Sequence, residues 1–139
     1  MPDHYRYVRL DEDIGLESTG DSQVTAFIHA ATGLFALHAH PATVLAERQV
    51  HVEFDQPDPT LALADWLNRL LAQADLAGLV LSGFALTRNG DHYLGHAWGM
   101  PWKPARRSGP QVREVRQDDL EVIPLGTGWR TRCRLALRA

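Results

Sequence analysis

Cysteine is all but missing from this chain. Cys133 is the one thiol in 139 residues, so no disulfide can form within it. A long apolar run is missing too. Without an N-terminal stretch that reads as a signal peptide or a membrane span, a cytoplasmic protein with no membrane partner is expected. No nucleophile motif, Gly-rich phosphate loop or paired acid and base stands at recognisable spacing, which argues against an independent catalyst. What remains is an ordinary single-domain composition over residues 1–139, with 45% hydrophobic and 22% charged residues. The net charge is −3, but it is unevenly spread: −8 over residues 1–65 and +5 over residues 66–139. Such halves mark either a charged partner surface or two sets of strands that interleave and cancel.

The stretch from Asp58 to Leu86 commits most clearly to a structure. Asp58 before Pro59 is a helix start: the carboxylate caps the first turn, and proline gives up only an N–H that has no partner there. Leu63, Trp66, Leu67, Leu70, Leu71 and Ala74 then recur at three- and four-residue spacing along one face. Gly78 stops the helix. A β-rich run follows to Arg88-Asn89-Gly90-Asp91, where Asn-Gly signals a two-residue hairpin turn, and His92 to Trp98 becomes the partner strand.

Upstream, Tyr5 to Leu10 and Ile14 to Ser18 read as strands around the acidic turn Asp11-Glu12-Asp13. Three adjacent carboxylates offer oxygen ligands to a hard cation, yet they lack the spacing of a helix-loop-helix calcium loop and read equally as a solvated turn. Gly20-Asp21-Ser22 opens a first helix, with Val24, Phe27, Ile28, Ala31, Leu34 and Phe35 on its buried face. His38 falls near its C-terminus, where a cation is favoured. His38, His40 and His51 suggest zinc, but no matching Cys or carboxylate set stands at ligand spacing, so no zinc is expected. His51 alternates with Val50 and Val52 on the wet face of a strand.

Residues 98–110 read as a loop from their proline and glycine content. Trp98 and Trp102 beside Lys103, Arg106 and Arg107 either stack on a base in a weak RNA contact or plug the rim of a core. Val112 to Gln117 and Leu120 to Ile123 are strands, and the last strand alternates strictly. Trp129, Thr131, Cys133, Leu135 and Leu137 face one way, and Arg130, Arg132, Arg134 and Arg138 the other. That guanidinium row is either a footprint for a protein or RNA partner or a face paired with carboxylates on neighbouring strands. Cys133 faces inward as inert core. The order of elements gives an α+β fold: two helices on one side of a mixed, mostly antiparallel sheet, sharing Phe27, Leu34, Phe35, Leu63, Trp66, Leu67 and Leu70 as core.

Several segments together resemble the archease family over nearly the whole chain. They are residues 54–75, with Asp65-Trp66-Leu67-Asn68 the most specific piece, Gly95 to Gly99, Val112 to Val122, and Tyr5 to Val8 followed by Asp13-Ile14-Gly15-Leu16. The resemblance implies an accessory role in tRNA splicing or RNA repair, promoting guanylylation and turnover of a 3′-phosphate RNA ligase, rather than enzyme activity of its own. It also implies a divalent cation, usually calcium, held between Asp13 and the chain end at Ala139. This sequence departs from the pattern there. Arg9, Leu10, Asp11 and Glu12 stand where the family has Asp, His, Thr and Ala, Arg138-Ala139 replaces Asp-Ile, and Arg113 to Gln117 replaces Lys-Ala-Val-Thr-Tyr. A guanidinium beside a doubly charged ion turns attraction into repulsion, about 4 kcal/mol per unit charge at 4 Å and an effective dielectric near 20. The expectation is therefore that Arg9 or Arg138 pairs with Asp13 in place of the cation. The alternative function is a non-enzymatic binding module that uses the Arg-rich face or the Trp-containing basic loop.

Overall fold

Helix caps, hairpin turns and alternation place the elements close to where the sequence signals them. The computed structural model describes residues 4–102 and 110–138. Along the chain, β1 (Tyr5–Leu10) and β2 (Asp13–Gly20) lead to α1 (Gln23–Ala36), a single 3-10 turn at Pro41–Thr43, and β3 (Arg48–Asp55). Then come α2 (Pro59–Ala77), the hairpin β4 (Leu79–Asn89) and β5 (His92–Pro101), and finally β6 (Val112–Val115), β7 (Glu121–Leu125) and β8 (Gly128–Leu137). Ser22 caps α1 by accepting from the Thr25 N–H, and Asp58 caps α2 by accepting from the Thr60 N–H at 2.9 Å. Gly78 ends α2 with φ 67, a left-handed conformation that costs glycine nothing. The β4–β5 turn sits one residue later than Asn-Gly implies. Asn89 pairs with His92, Gly90 takes the positive φ of 62 and Asp91 does not, the pattern of a turn with glycine at its first central position.

The α+β fold is present, with its strands divided between two sheets. One has the order β1-β2-β8-β6, with β7 also pairing along β8; the other is β3-β5-β4. All the described pairings are antiparallel, so the expected single mixed sheet is replaced by two antiparallel ones. Alternation specifies which face of a strand is buried but not which strand lies beside it, and that is why the division could not be read beforehand. Both helices reach both sheets. α1 packs on β2, β8 and β4, and α2 packs on β3, β4, β6 and β7. The expected shared core forms: Phe27, Leu34, Leu63, Trp66, Leu67 and Leu70 are fully buried and Phe35 nearly so. No helix among the described residues is long and apolar enough to cross a membrane.

The segment Asp65-Trp66-Leu67-Asn68 shows what one turn of helix can tie together. Asp65 accepts from the Gln56 side chain at 3.1 Å, bracing the entry to α2. Trp66 donates its indole N–H to the Phe27 carbonyl of α1 at 2.9 Å, and Leu67 fills the core. Asn68 uses both ends of its amide on one residue of β6, accepting from the Val115 N–H at 2.8 Å and donating to the Val115 carbonyl at 3.0 Å, as a neighbouring strand would. The Trp66 ring presses on Gly95 of β5, where a Cβ would come within 2.3 Å of the indole. Gly95→Ala therefore forces either the ring or the strand to move, and we expect a loss of about 1–3 kcal/mol of stability, as for other overpacked cores. Urea melts of the two proteins measure it; an unchanged midpoint would mean that the indole has room to shift.

Candidate functional site

The outer face of the five-stranded sheet gathers the charge that the sequence separates into two halves. On β2, Asp13 and Glu17 are four residues apart and so share a face. The register β1–β2–β8 sets Arg6, Glu17 and Arg132 directly side by side. Glu17 accepts from Arg6 Nε at 2.8 Å and from Arg132 Nε at 2.7 Å, one guanidinium on each carboxylate oxygen. The hydrogen bond from Arg6 holds Glu17 below its ordinary pKa; burial opposes this, and Arg132 reinforces it. Arg130 pairs with Glu121 of β7.

Asp13 is clasped from the other strand edge. Its Oδ2 accepts from Arg116 Nε and from Arg134 Nε, both at 2.8 Å, while Arg134 also donates to Asp119 at 2.9 Å. Burial, the largest single influence, pushes the Asp13 pKa up, but the two guanidiniums together outweigh it and the carboxyl titrates below its usual range. The ion pair expected at Asp13 is thus formed with different partners. Arg9 lies opposite Ile14, on the other face of the sheet from Asp13. Arg138 lies beyond the last residue of β8; its backbone N–H donates to the Gln111 carbonyl and its side chain turns to Asp75, 3.9 Å away on α2. Leu137 and Arg9 do line a cleft of about 300 Å³ together with Asp11, Glu12 and Asp13, so the end of β8 lies near the acidic turn as expected. Ala139 lies outside the described residues, as do Lys103, Arg106 and Arg107.

A divalent cation fits this arrangement poorly. The largely covered carboxylate of Asp13 already receives two charged N–H donors on the same oxygen, and a cation there would meet both guanidiniums. Asp11 and Glu12 form the exposed turn between β1 and β2, with Asp11 at φ 54. The three histidines considered for zinc have three separate roles. His38 accepts from the Val112 N–H at 3.0 Å. His40 accepts from the Ala42 N–H, and His51 stands exposed on β3 with its ring 6.3 Å from His96. Among the described residues no group of three or more His, Cys, Asp or Glu side chains could hold a metal ion.

Along the guanidinium row, Arg130, Arg132 and Arg134 each hold a carboxylate, the paired arrangement expected for neighbouring strands. Trp98 lies in the partner strand, as the His92 to Trp98 reading has it, and the segment read as loop begins later than expected. This tryptophan is half-buried over Gly83, and the strand continues to Pro101 despite its glycine and proline. Trp102 follows at once and donates its backbone N–H to the Gly78 carbonyl at 2.8 Å. Cys133 is buried, and burial pushes its thiol up to about 12, so it is an inert core residue. The sequence analysis missed Arg116, Glu17 and Asp119. Alternation on β2 was the available signal for Glu17; for Arg116 and Asp119 only the register shows the partnership.

A model of the archease protein family matches residues 5–135. The chain belongs to this family. A curated relative, protein archease of Pyrococcus furiosus, is 25% identical over 131 residues, covering 91% of this chain and 90% of that protein. Among solved structures, a Methanobacterium thermoautotrophicum protein superposes with a TM-score of 0.85 at 22% identity, covering 98% of this chain and all of that one. An archease from Thermotoga maritima, described as a possible chaperone, superposes with a TM-score of 0.64 at 12% identity over 93% of this chain and 94% of that one. At these identities the structural likeness concerns the fold. In this archease the charged face makes a prediction about pH. Asp13 and Glu17 have folded pKa values below their unfolded ones, so their stabilisation is present above the ordinary carboxylate range and lost as pH falls through the folded values. His92 works oppositely. It bridges Asp55 and Glu53 at 2.8 and 2.7 Å, which raises its pKa, so its contribution is full below about pH 6.5 and fades as pH rises through the raised value. Urea midpoints against pH are expected to show Glu17→Gln flattening the acid limb and His92→Gln flattening the alkaline one. An acid limb unchanged in Glu17→Gln would remove Glu17 as a contributor.

Proposed function

We propose that this archease is an accessory protein that promotes guanylylation and turnover of a 3′-phosphate RNA ligase in tRNA splicing or RNA repair. Family membership across nearly the whole chain is the observation that carries the reading. The possible-chaperone description of the Thermotoga relative agrees with a protein that acts through a partner protein. The inert Cys133 and the mutually neutralised side chains of the charged face also favour an activator over a catalyst. In this reading the protein works in the cytoplasm.

The same proposal makes the role independent of calcium at Asp13, where Arg116 and Arg134 supply the positive charge. In the alternative, a non-enzymatic binding module that holds a protein or RNA partner through the Arg-rich face or the Trp-containing basic loop, a partner at the β8 arginines would have to compete with the carboxylates that they hold.

Two measurements test this. Added to a purified RNA ligase from the same cell, the protein is expected to speed formation of the guanylylated ligase and allow repeated turnover; no effect on either step, with no complex by size exclusion, would sink the proposal. Thermal melts with chelator and with millimolar calcium are expected to coincide, because a ligand that binds the native state alone must raise the midpoint. A clear rise with calcium would show that the acidic turn still forms a working cation site, and Arg116→Gln with Arg134→Gln would then strengthen it.

A further inference from the structure

A cleft of about 380 Å³ opens between α2, β6 and the end of β8, away from the charged face. Its size lies within the roughly 300–1,000 Å³ of small-molecule sites. The walls include Asn68, Asp75, Trp102, Val112, Arg113 and Arg138. The ion pairs of Arg113 and Arg138 are loose. The other arginine ion pairs of the described residues close to 2.9 Å or less, whereas Arg113 reaches Glu114 only at 3.6 Å and Arg138 reaches Asp75 only at 3.9 Å. Both side chains are more than half exposed. A competing anion therefore has little to displace.

The backbone aims them inward. Neighbouring residues of a regular strand face opposite ways, yet Val112 and Arg113 both line the cleft. This is possible because β6 is bulged there: Val112 pairs with Leu137 and Glu114 with Ala136, which leaves Arg113 as the extra residue. Bulges re-aim side chains in this way and occur beside binding sites. The Arg138 N–H bonded to the Gln111 carbonyl fixes the chain end over the same opening, and the Trp102 N–H bonded to Gly78 fixes the indole-bearing residue across from it. Asn68 is spent on Val115 and serves as wall.

We infer that this cleft binds a nucleoside phosphate, either free or as the terminal residue of an RNA strand. Arg113 and Arg138 take the phosphate through charge-assisted hydrogen bonds, the Trp102 indole supplies a surface for the base, and Asp75 accepts from a ribose hydroxyl. The site does not depend on a ligase partner, so it is tested on the isolated protein and stands or falls apart from the activator role.

The probes are adenosine 5′- and 3′-monophosphate, adenosine, inorganic phosphate, and a short single-stranded oligoribonucleotide with and without a terminal phosphate. Binding is read by calorimetry and by the shift of the Trp102 indole resonance. Saturable binding of the monophosphates or the phosphorylated strand is expected, with adenosine and phosphate alone weaker by about tenfold or more, the loss of one or more charge-assisted contacts. Arg113→Gln with Arg138→Gln should weaken the nucleotide about tenfold or more while melting as wild type does, and Trp102→Leu should weaken adenosine as well. Tighter binding of the phosphorylated strand than of either monophosphate identifies a strand end as the ligand; equal binding identifies the free nucleotide. No saturation by any probe at millimolar concentration, or equal affinity in the folded arginine variant, overturns the inference.

Discussion

The buried indole of Trp66 is the contact on which the rest of this fold depends. It sits where both helices and the three-stranded sheet converge, bonded to the Phe27 carbonyl of α1 and pressed against Gly95 of β5. An indole N–H in a core costs free energy unless it finds an acceptor, so the ring fixes how α1 and α2 lie on each other as well as filling space. One residue before it, Asp65 braces the loop from β3; two residues after it, Asn68 holds β6. Through that single turn α2 connects the two sheets.

The two charged faces of the sequence, acidic early and basic late, meet because β8 inserts between β2 and β6. Glu17 is held by Arg6 and Arg132, and Asp13 by Arg116 and Arg134, so the separation seen along the chain becomes near-neutrality across the sheet. Exposed ion pairs are worth little one at a time. Here the carboxylates are largely covered and each serves two guanidiniums, a geometry in which removing one member strands the others. A surface so internally satisfied gives a partner little unspent charge. Arg113 and Arg138, at the cleft beside α2, have longer and more exposed ion pairs than the arginines of this face that hold Asp13.

What the sequence by itself determined are the features set by local chemistry: both helices with their caps, the eight strands in order, the core residues, and the α+β class. Caps, stops and periodicities act over a few residues, so they are legible without neighbours. The motif around Trp66 also carried the family. What only the tertiary structure decided is everything that depends on register and sheet membership. That Asp13 pairs with Arg116 and Arg134, rather than Arg9 or Arg138, follows from β8 lying against β2 and from the chain turning away at Arg138. That the strands form two sheets, that β5 continues past Trp98 to Pro101, and that Arg113 stands on a bulge are likewise outcomes of pairing. A strand pattern names the face on which a residue lies; which side chain it meets there is chosen by strands far away in the chain, and a shift of one residue would have exchanged every partner.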